Sequence, residues 1–235
     1  MKLNVAIAVI LLASSMQAQI PVPPSVNNME EVHKPELRVG VVTGSALRIS
    51  ISDSAGPVHA STSVSGGELF ARTDNIAVFV RSVSGSYPGT PAVLSGNYLS
   101  QEADLIIGAQ VFSVEGGYVR RSTSGQDPHN RESFWRAGLR STWDIGSSGV
   151  QVVLRAAGRF GNAPTKDGTN GMQFLGIDGE ASMLVQAPRG IPIYGLAGWR
   201  YERFDDAWST DGRTEEASGP YFSVGVRFAS KPFLR

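Results

Sequence analysis

The feature that most constrains this chain is a period-two alternation of apolar and polar residues, which recurs along nearly all of it. The clearest case is 134–145, where Trp135 and Leu139 share one parity while Arg136 and Arg140 share the other. Successive side chains of a β-strand point to opposite faces, so such a strand separates an apolar environment from a polar one. After residue 36, no stretch keeps a helical period of apolar residues for three turns. The pattern therefore predicts an all-β protein.

Gly- and Ser-rich segments divide the alternation into about ten strands, with eight or twelve as alternatives. The connections between them alternate in length, and an even strand number places both ends of the strand array on the side of the short turns. Ten amphipathic strands with this rhythm predict an antiparallel transmembrane β-barrel. The predicted strands are 37–52, 58–73, 76–84, 103–112, 117–123, 133–145, 149–160, 172–186, 191–204 and 218–228.

Composition excludes several classes of protein. The formal net charge is zero, which argues against a nucleic-acid binder. No cysteine is present, so disulfide scaffolds, thiolate metal sites and cysteine nucleophiles are ruled out. The basic residues are 17 Arg and only 4 Lys. A crowded interior favours the planar fork of Arg paired with carboxylates, so this bias fits a polar lumen better than a solvated surface.

The N-terminus has the order of a secretory signal peptide. Lys2 precedes the nine-residue apolar run 5–13, and small or polar residues lead to Ala18. Four prolines follow within 19–35. The sequence therefore predicts a signal peptide over 1–18, a periplasmic linker over 19–35 and an outer-membrane barrel over 36–235.

The polar parity of the strands must face the lumen, because an Arg that points to lipid at the midplane costs ~2–4 kcal/mol. The predicted lumen-facing charges are Glu68, Arg72, Arg81, Asp104, Arg120, Arg136, Arg140, Arg155, Arg159, Asp178, Glu180, Arg200, Glu202 and Arg227. Aromatic residues near strand ends on the apolar parity predict interfacial girdles. These are Trp135, Trp143, Phe160, Trp199, Tyr201, Phe222 and Phe228.

The export signal, the repeated amphipathic strands and the closing strand together resemble small bacterial outer-membrane β-barrels of the outer-membrane protein A or small-porin class. The last strand, 221–228, is similar to the C-terminal signal of that class, because it alternates apolar residues and ends in the aromatic Phe228. The sequence departs from that pattern in the tail 229–235, which follows the aromatic. The resemblance implies outer-membrane localisation, with outer-membrane lipid and the barrel-assembly machinery as partners.

The functional expectation is a non-enzymatic barrel with a structural or small-solute pore role. Phe79, Phe174 and Tyr118 are expected to fill part of the lumen beside the charged pairs. One alternative is a hydrolase acting on lipid or peptide at the outer rim, with His129 near the acids and Ser209 of loop 205–218. A second alternative is a soluble periplasmic β-barrel or sandwich that binds a ligand. The residues indicate no metal site and no cofactor.

Overall fold

The computed structural model describes residues 35–53, 56–87, 96–124, 131–145, 149–164, 170–188, 191–205 and 214–229. The predicted signal peptide and nearly all of the linker lie outside these residues. No helix among them is long and apolar enough to cross a membrane. The strands are β1 (Glu36–Asp53), β2 (Gly56–Thr73), β3 (Ile76–Tyr87), β4 (Gly96–Gly108), β5 (Ser113–Ser124), β6 (Arg131–Asp144), β7 (Val150–Pro164), β8 (Asn170–Gln186), β9 (Ile193–Asp205) and β10 (Thr214–Ala229).

Every strand pairs antiparallel with its neighbours in the sequence, and β1 pairs with β10, so the sheet closes into a barrel. Closure gives each strand two hydrogen-bonded neighbours and leaves no unpaired edge. The all-β prediction, the antiparallel barrel and the count of ten strands are confirmed.

The barrel has two ends, which we name by their connections. The turn end carries 74–75, 109–112, 145–149 and 187–192, together with the first residue of β1 and the last of β10. The loop end carries 54–55, 88–95, 125–130, 165–169 and 206–213. These loops are shorter than predicted, because the strands run further toward the loop end. The predicted alternation in connection length is correspondingly weaker.

Strand β4 differs most from its predicted bounds, since it covers Gly96–Gly108 instead of 103–112. Gly108 has a φ of +133°, a conformation that residues with a Cβ rarely adopt, and the chain turns directly after it. The apolar residues Val111 and Phe112, which continue the alternation in sequence, are therefore exposed beside the turn.

Irregular pairing changes which face some residues occupy. The register of β1 shifts between Gly44 and Arg48, and beyond this point the parity reverses. Ile49, which the alternation places on the outer face, is 1% exposed inside the barrel, whereas Arg48 is exposed. A second shift at Phe160 on β7 lies opposite Leu175, which is also buried inside. A bulge reverses parity because one extra residue enters one strand only.

The wall is apolar outside and polar inside. Apolar side chains that are at least one-third exposed occur on every strand, for example Val78 on β3 and Val224 on β10. Many Arg, Asp and Glu side chains are buried inside. This distribution is the inverse of a soluble barrel, which places its apolar faces inward.

Candidate functional site

The candidate functional site is the charged interior of the barrel. Apart from Arg120, the predicted lumen charges lie at inward positions, either buried or half-buried. The polar residues of the alternation therefore face the lumen, and Arg and acidic residues from different strands meet there. The inward set is Glu68, Arg72, Arg81, Asp104, Arg136, Arg140, Arg155, Arg159, Asp178, Glu180, Arg200, Glu202 and Arg227.

Arg120 is a correction, because it is exposed on the outer face of β5. The inward positions of this strand have the other parity and include Glu115, Val119 and Arg121, all buried. Arg120 lies two residues beyond Tyr118 toward the loop end. An outward Arg near the membrane interface costs only ~0–1 kcal/mol, far less than at the midplane. Its outer position is therefore tolerable at this height.

Tyr118 and Phe174 are further corrections, because both point outward and are 43% and 58% exposed. They belong to a row of aromatic residues at one register, in which Tyr118 pairs with Trp135, Trp135 with Phe160, and Phe160 with Phe174. The Tyr118 and Trp135 ring centroids are 5.7 Å apart in an edge-to-face arrangement. Phe79 is 4% exposed and lies inside, as expected.

The other predicted girdle residues also occupy outward positions. Trp199, Phe222 and Phe228 are about half exposed, whereas Trp143 and Tyr201 are half-buried. Trp143 and Phe228 lie near the turn end, and the remaining members lie further along their strands toward the loop end. The pairing therefore shows one row, Tyr118–Trp135–Phe160–Phe174, and the other aromatic residues lie singly on the outer face.

Several inward charges were not predicted from the sequence. They could have been found by extending the alternation, since Val39 and Val41 outside imply Arg38 inside, and Val114 outside implies Glu115 inside. Glu36, Glu102 and Glu215 lay outside the predicted strand bounds, and Arg121 was passed over in favour of the adjacent Arg120. The missed inward charges are Glu36, Arg38, Glu102, Glu115, Arg121 and Glu215.

Arg155 lies at the centre of the charged interior. Its guanidinium is within 3.5 Å of four carboxylates, which belong to Glu102 (3.4 Å), Asp104 (2.7 Å), Glu115 (3.2 Å) and Glu180 (3.5 Å). These carboxylates come from three different strands. Arg can satisfy several acids at once because it presents five N–H donors in a planar fork.

Asp178 on β8 is held by two further arginines. Nε and Nη2 of Arg136 donate to it at 3.0 and 2.7 Å, and Nε of Arg159 donates at 3.0 Å. Arg136 also reaches Asp104 at 2.9 Å and Glu115 at 2.6 Å. Charge-assisted hydrogen bonds of this kind are roughly twice as strong as neutral ones.

Arg81 and Arg200 form further ion pairs inside the barrel. Arg81 contacts Glu180 at 2.7 Å and Glu68 at 3.2 Å, while Arg200 contacts Glu102 at 3.1 Å and Glu202 at 2.6 Å. We call the connected set the central network. It consists of Arg81, Arg136, Arg155, Arg159 and Arg200 with Glu68, Glu102, Asp104, Glu115, Asp178, Glu180 and Glu202.

Tyrosines tie the central network to the wall. Hydroxyl groups of Tyr194 and Tyr221 donate to Glu68 at 3.1 Å and to Glu180 at 2.5 Å. Gly40 leaves room for the first contact, because a Cβ at this position would overlap the Tyr194 hydroxyl. These contacts join the network to β9 and to β10, a strand that contributes no arginine to it.

The interior leaves little free space. Side-chain exposure is 1% for Arg136, and it is zero for Arg159, Asp104 and Glu115. Two lumen cavities measure about 10 and 20 Å³, each with room for about one water molecule. Apolar clusters adjoin the network, one of which joins Phe134, Leu175 and Phe204. Among the described residues, the charged side chains of the central network therefore fill most of the lumen at their height.

Residues proposed for a rim hydrolase lie mostly outside the described residues. His129 falls in 125–130, and Ser209 with its neighbouring acids falls in 206–213. Within the described ranges, no group of three or more His, Asp or Glu residues is arranged to hold a metal ion.

Comparisons with known proteins found a likeness among solved structures. No protein-family model matches the chain. No curated protein matches it in sequence. The chain is similar to the crystal structure of Neisserial surface protein A (NspA), with 11% sequence identity and a TM-score of 0.37. The aligned region covers 81% of this chain and 96% of that one.

Proposed function

We propose that this protein is an outer-membrane β-barrel with a structural role, whose lumen is closed by the central network. The observation that carries the proposal is that the arginines and acids of the central network form ion pairs with one another and are almost completely buried. A wall that is apolar outside and charged inside is suited to a bilayer, in which the barrel exterior contacts lipid.

The outer surface supports the membrane assignment. Exposed aliphatic residues such as Leu105, Leu139 and Val224 occur on every strand around the barrel, beside outward aromatic residues such as Trp135 and Phe222. Soluble monomers rarely expose a continuous apolar patch larger than a few hundred Å². A soluble ligand-binding barrel would also need a roomy lumen, and the cavities here hold about one water each.

We assign the turn end to the periplasm and the loop end to the outside. On β2 the outward apolar residues Leu69 and Ala71 lie near the turn end, whereas His59 and Ser61 are exposed further along. The strands therefore extend past the apolar belt at the loop end, and bacterial outer-membrane barrels place their longer connections outside the cell.

Membrane fractionation combined with a heat-shift gel tests the membrane assignment. We expect the protein in the outer-membrane fraction, with faster migration of the unheated sample than of the boiled one. Recovery of the whole protein in the soluble periplasmic fraction would contradict the proposal. A cleaved N-terminus in the mature protein, found by mass spectrometry, would test the predicted signal peptide separately.

Planar-bilayer recording tests whether the lumen is closed. We expect no conductance steps above background from the folded protein. As a positive control, replacement of Arg81 and Glu180 together by Ser removes a bonded pair, keeps the charge balanced and should produce measurable steps. Steps from the unmodified protein would support the small-solute pore instead, without affecting the membrane assignment.

Cysteine labelling of whole cells tests the orientation, because the native chain has no thiol to interfere. Asn75 lies in a turn at the turn end, and Ser86 is exposed near the loop end. A membrane-impermeant maleimide should label Ser86→Cys on intact cells, and it should label Asn75→Cys only after lysis. The reverse result would invert the assignment.

Outer-membrane lipid and the barrel-assembly machinery remain the proposed partners. The final strand β10 is paired on both edges and exposes Phe222, Val224 and Phe228 outward, which fits an assembly signal. Deletion of 230–235 should leave outer-membrane assembly intact if Phe228 is the terminal aromatic of that signal. Loss of assembly would show instead that the tail 230–235 supplies the terminal aromatic of the signal.

The rim hydrolase is tested by His129→Ala, which should abolish any lipid or peptide hydrolysis that depends on that residue.

A further inference from the structure

A second charged compartment lies between the central network and the turn end. We call it the lower chamber, a cavity of about 20 Å³ whose charged lining consists of Arg38, Arg72, Arg140 and Glu36. These residues lie within a few positions of the turn ends of β1, β2 and β6. The chamber is thus the part of the lumen closest to the turn end of the barrel.

The lower chamber contains more positive than negative charge. Its carboxylate, Glu36, is shared by Arg38 at 3.0 Å and by Arg227 at 2.9 Å. Arg72 instead donates to the backbone carbonyls of Asp74 and Gly108 at 3.1 and 3.3 Å. Glu36 therefore forms ion pairs with Arg38 and Arg227, whereas Arg72 hydrogen-bonds to backbone carbonyls.

Arg140 is the least compensated of these side chains. It is 7% exposed, and no carboxylate of the described residues lies within 4.0 Å of it. Its buried Nη1 has no hydrogen-bond partner there. The guanidinium lies 5.2 Å from the ring centroid of Phe70 and 5.6 Å from that of Phe79. Ring faces attract a cation, but they provide no acceptor that satisfies an N–H group as a lone pair would.

Arg155, the charged residue paired with Arg140 on the neighbouring strand, adds a further positive charge beside it. Arg140 pairs directly across the strands with Arg155, which is fully committed to the central network. A buried charge without a partner is strongly unfavourable, and a like charge directly opposite adds to the cost. Arg140 therefore brings a buried donor without a hydrogen-bond partner to a small cavity whose lining holds three Arg side chains and one carboxylate.

We propose that the lower chamber binds one small inorganic anion of the size of chloride, with Nη1 of Arg140 as its principal donor. Room for a single water-sized occupant suits a halide and disfavours an oxyanion such as sulfate or phosphate. The hydroxyl-bearing side chain of Thr142 and the guanidinium of Arg38 also line the space. This inference goes beyond the proposed structural role and requires only the folded barrel.

A salt-exchange experiment tests the site on the intact, detergent-solubilised protein. The thermal midpoint of the heat-shift transition is compared in sodium chloride and in sodium gluconate at equal ionic strength. At a free chloride concentration of ten times Kd, the ratio of folded to unfolded protein should rise about 11-fold over gluconate. Bromide should reproduce the effect, and sulfate should not. Equal midpoints in chloride and gluconate would overturn the proposal.

Two variants separate a bound anion from a general salt effect. Arg140→Met removes the donor and should abolish the difference between chloride and gluconate. Arg120→Met removes an Arg from the exposed outer face and should retain the full difference. A chloride effect that persists in Arg140→Met would place the anion elsewhere and overturn the proposal.

A crystallographic measurement decides the question even where the Arg140 variant fails to fold. Crystals of the unmodified protein grown in sodium bromide should show an anomalous peak within hydrogen-bond distance of Nη1 of Arg140. Absence of a peak in the lower chamber at a bromide concentration that shifts the thermal midpoint would overturn the assignment.

Discussion

Two arginines on neighbouring strands, Arg140 and Arg155, face each other directly across β6 and β7 but have opposite surroundings. Arg155 contacts four carboxylates, whereas Arg140 contacts two aromatic rings and leaves a buried N–H group without an acceptor. Both are almost completely buried. The difference teaches that burial of an Arg in this lumen does not by itself indicate a structural ion pair. What matters is which strands bring acids to the same height.

The largest loss in the free energy of unfolding is expected when Arg155, which contacts four carboxylates, is replaced. Arg155→Met leaves Glu102, Asp104, Glu115 and Glu180 with one cation fewer among them, and loss of one partner from a buried ion pair costs ~3–5 kcal/mol. We expect a loss of this order in the free energy of unfolding, measured by urea titration in lipid vesicles. Arg155→Lys should recover only part of the loss, because an ammonium cannot form the planar fork. A change below about 1 kcal/mol for Arg155→Met would show that the central network is not a major contributor to stability.

The next prediction adds a positive charge on the outer face of the wall, one residue before the inward Arg140. Leu139 is 50% exposed on the outer face between Trp135 and Trp143, next to Arg140. Leu139→Arg should lower the free energy of unfolding in vesicles by ~2–4 kcal/mol, because the midplane of a bilayer cannot solvate the charge. The same variant in a soluble barrel would change stability little. A neutral result would therefore argue against the membrane belt.

A smaller change of opposite sign in the free energy of unfolding is expected when Arg140 is replaced. In chloride-free buffer, Arg140→Met removes a buried donor without an acceptor, a defect that costs ~1–3 kcal/mol. Part of this gain is lost with the ring contacts, so the free energy of unfolding should rise by about 1 kcal/mol. Urea titration in gluconate measures the change. Marked destabilisation in gluconate would show that Arg140 has a protein partner after all.

The smallest effect is expected for the outward arginine. Arg120→Met alters an exposed side chain beyond the aromatic row, and surface substitutions of this kind usually stay within ~0.5 kcal/mol. The same urea titration provides the measurement and serves as the control for the three variants above. A loss as large as that of Arg155→Met would mean that Arg120 faces inward, as the sequence pattern first predicted.

Much of the fold was predictable because strand geometry fixes the relation between sequence parity and facing. Residues 134–144 show this clearly, since Trp135 and Leu139 are outside and Arg136 and Arg140 are inside, as their alternation requires. The prediction failed where parity was interrupted. Arg120 was assigned to the wrong face because Arg120 and Arg121 are adjacent, so only one of them can point inward, and it is Arg121 that shares the parity of Glu115 and Val119. Ile49 was misplaced because a register shift in β1 reverses the phase.

The sequence by itself determined the β-strand class and the two environments that the wall separates, because alternation is a local property of the chain, and the structure then fixed the number of strands at ten. Only the tertiary structure decided which charges meet. Arg155 on β7 reaches Glu102 on β4 and Glu115 on β5 because strand register and barrel closure bring residues distant in sequence to one height inside the lumen. Among the described residues, the same registers bring no carboxylate within ion-pair distance of Arg140. The pairing of charges across a closed lumen depends on register summed around the whole barrel, which no local pattern encodes.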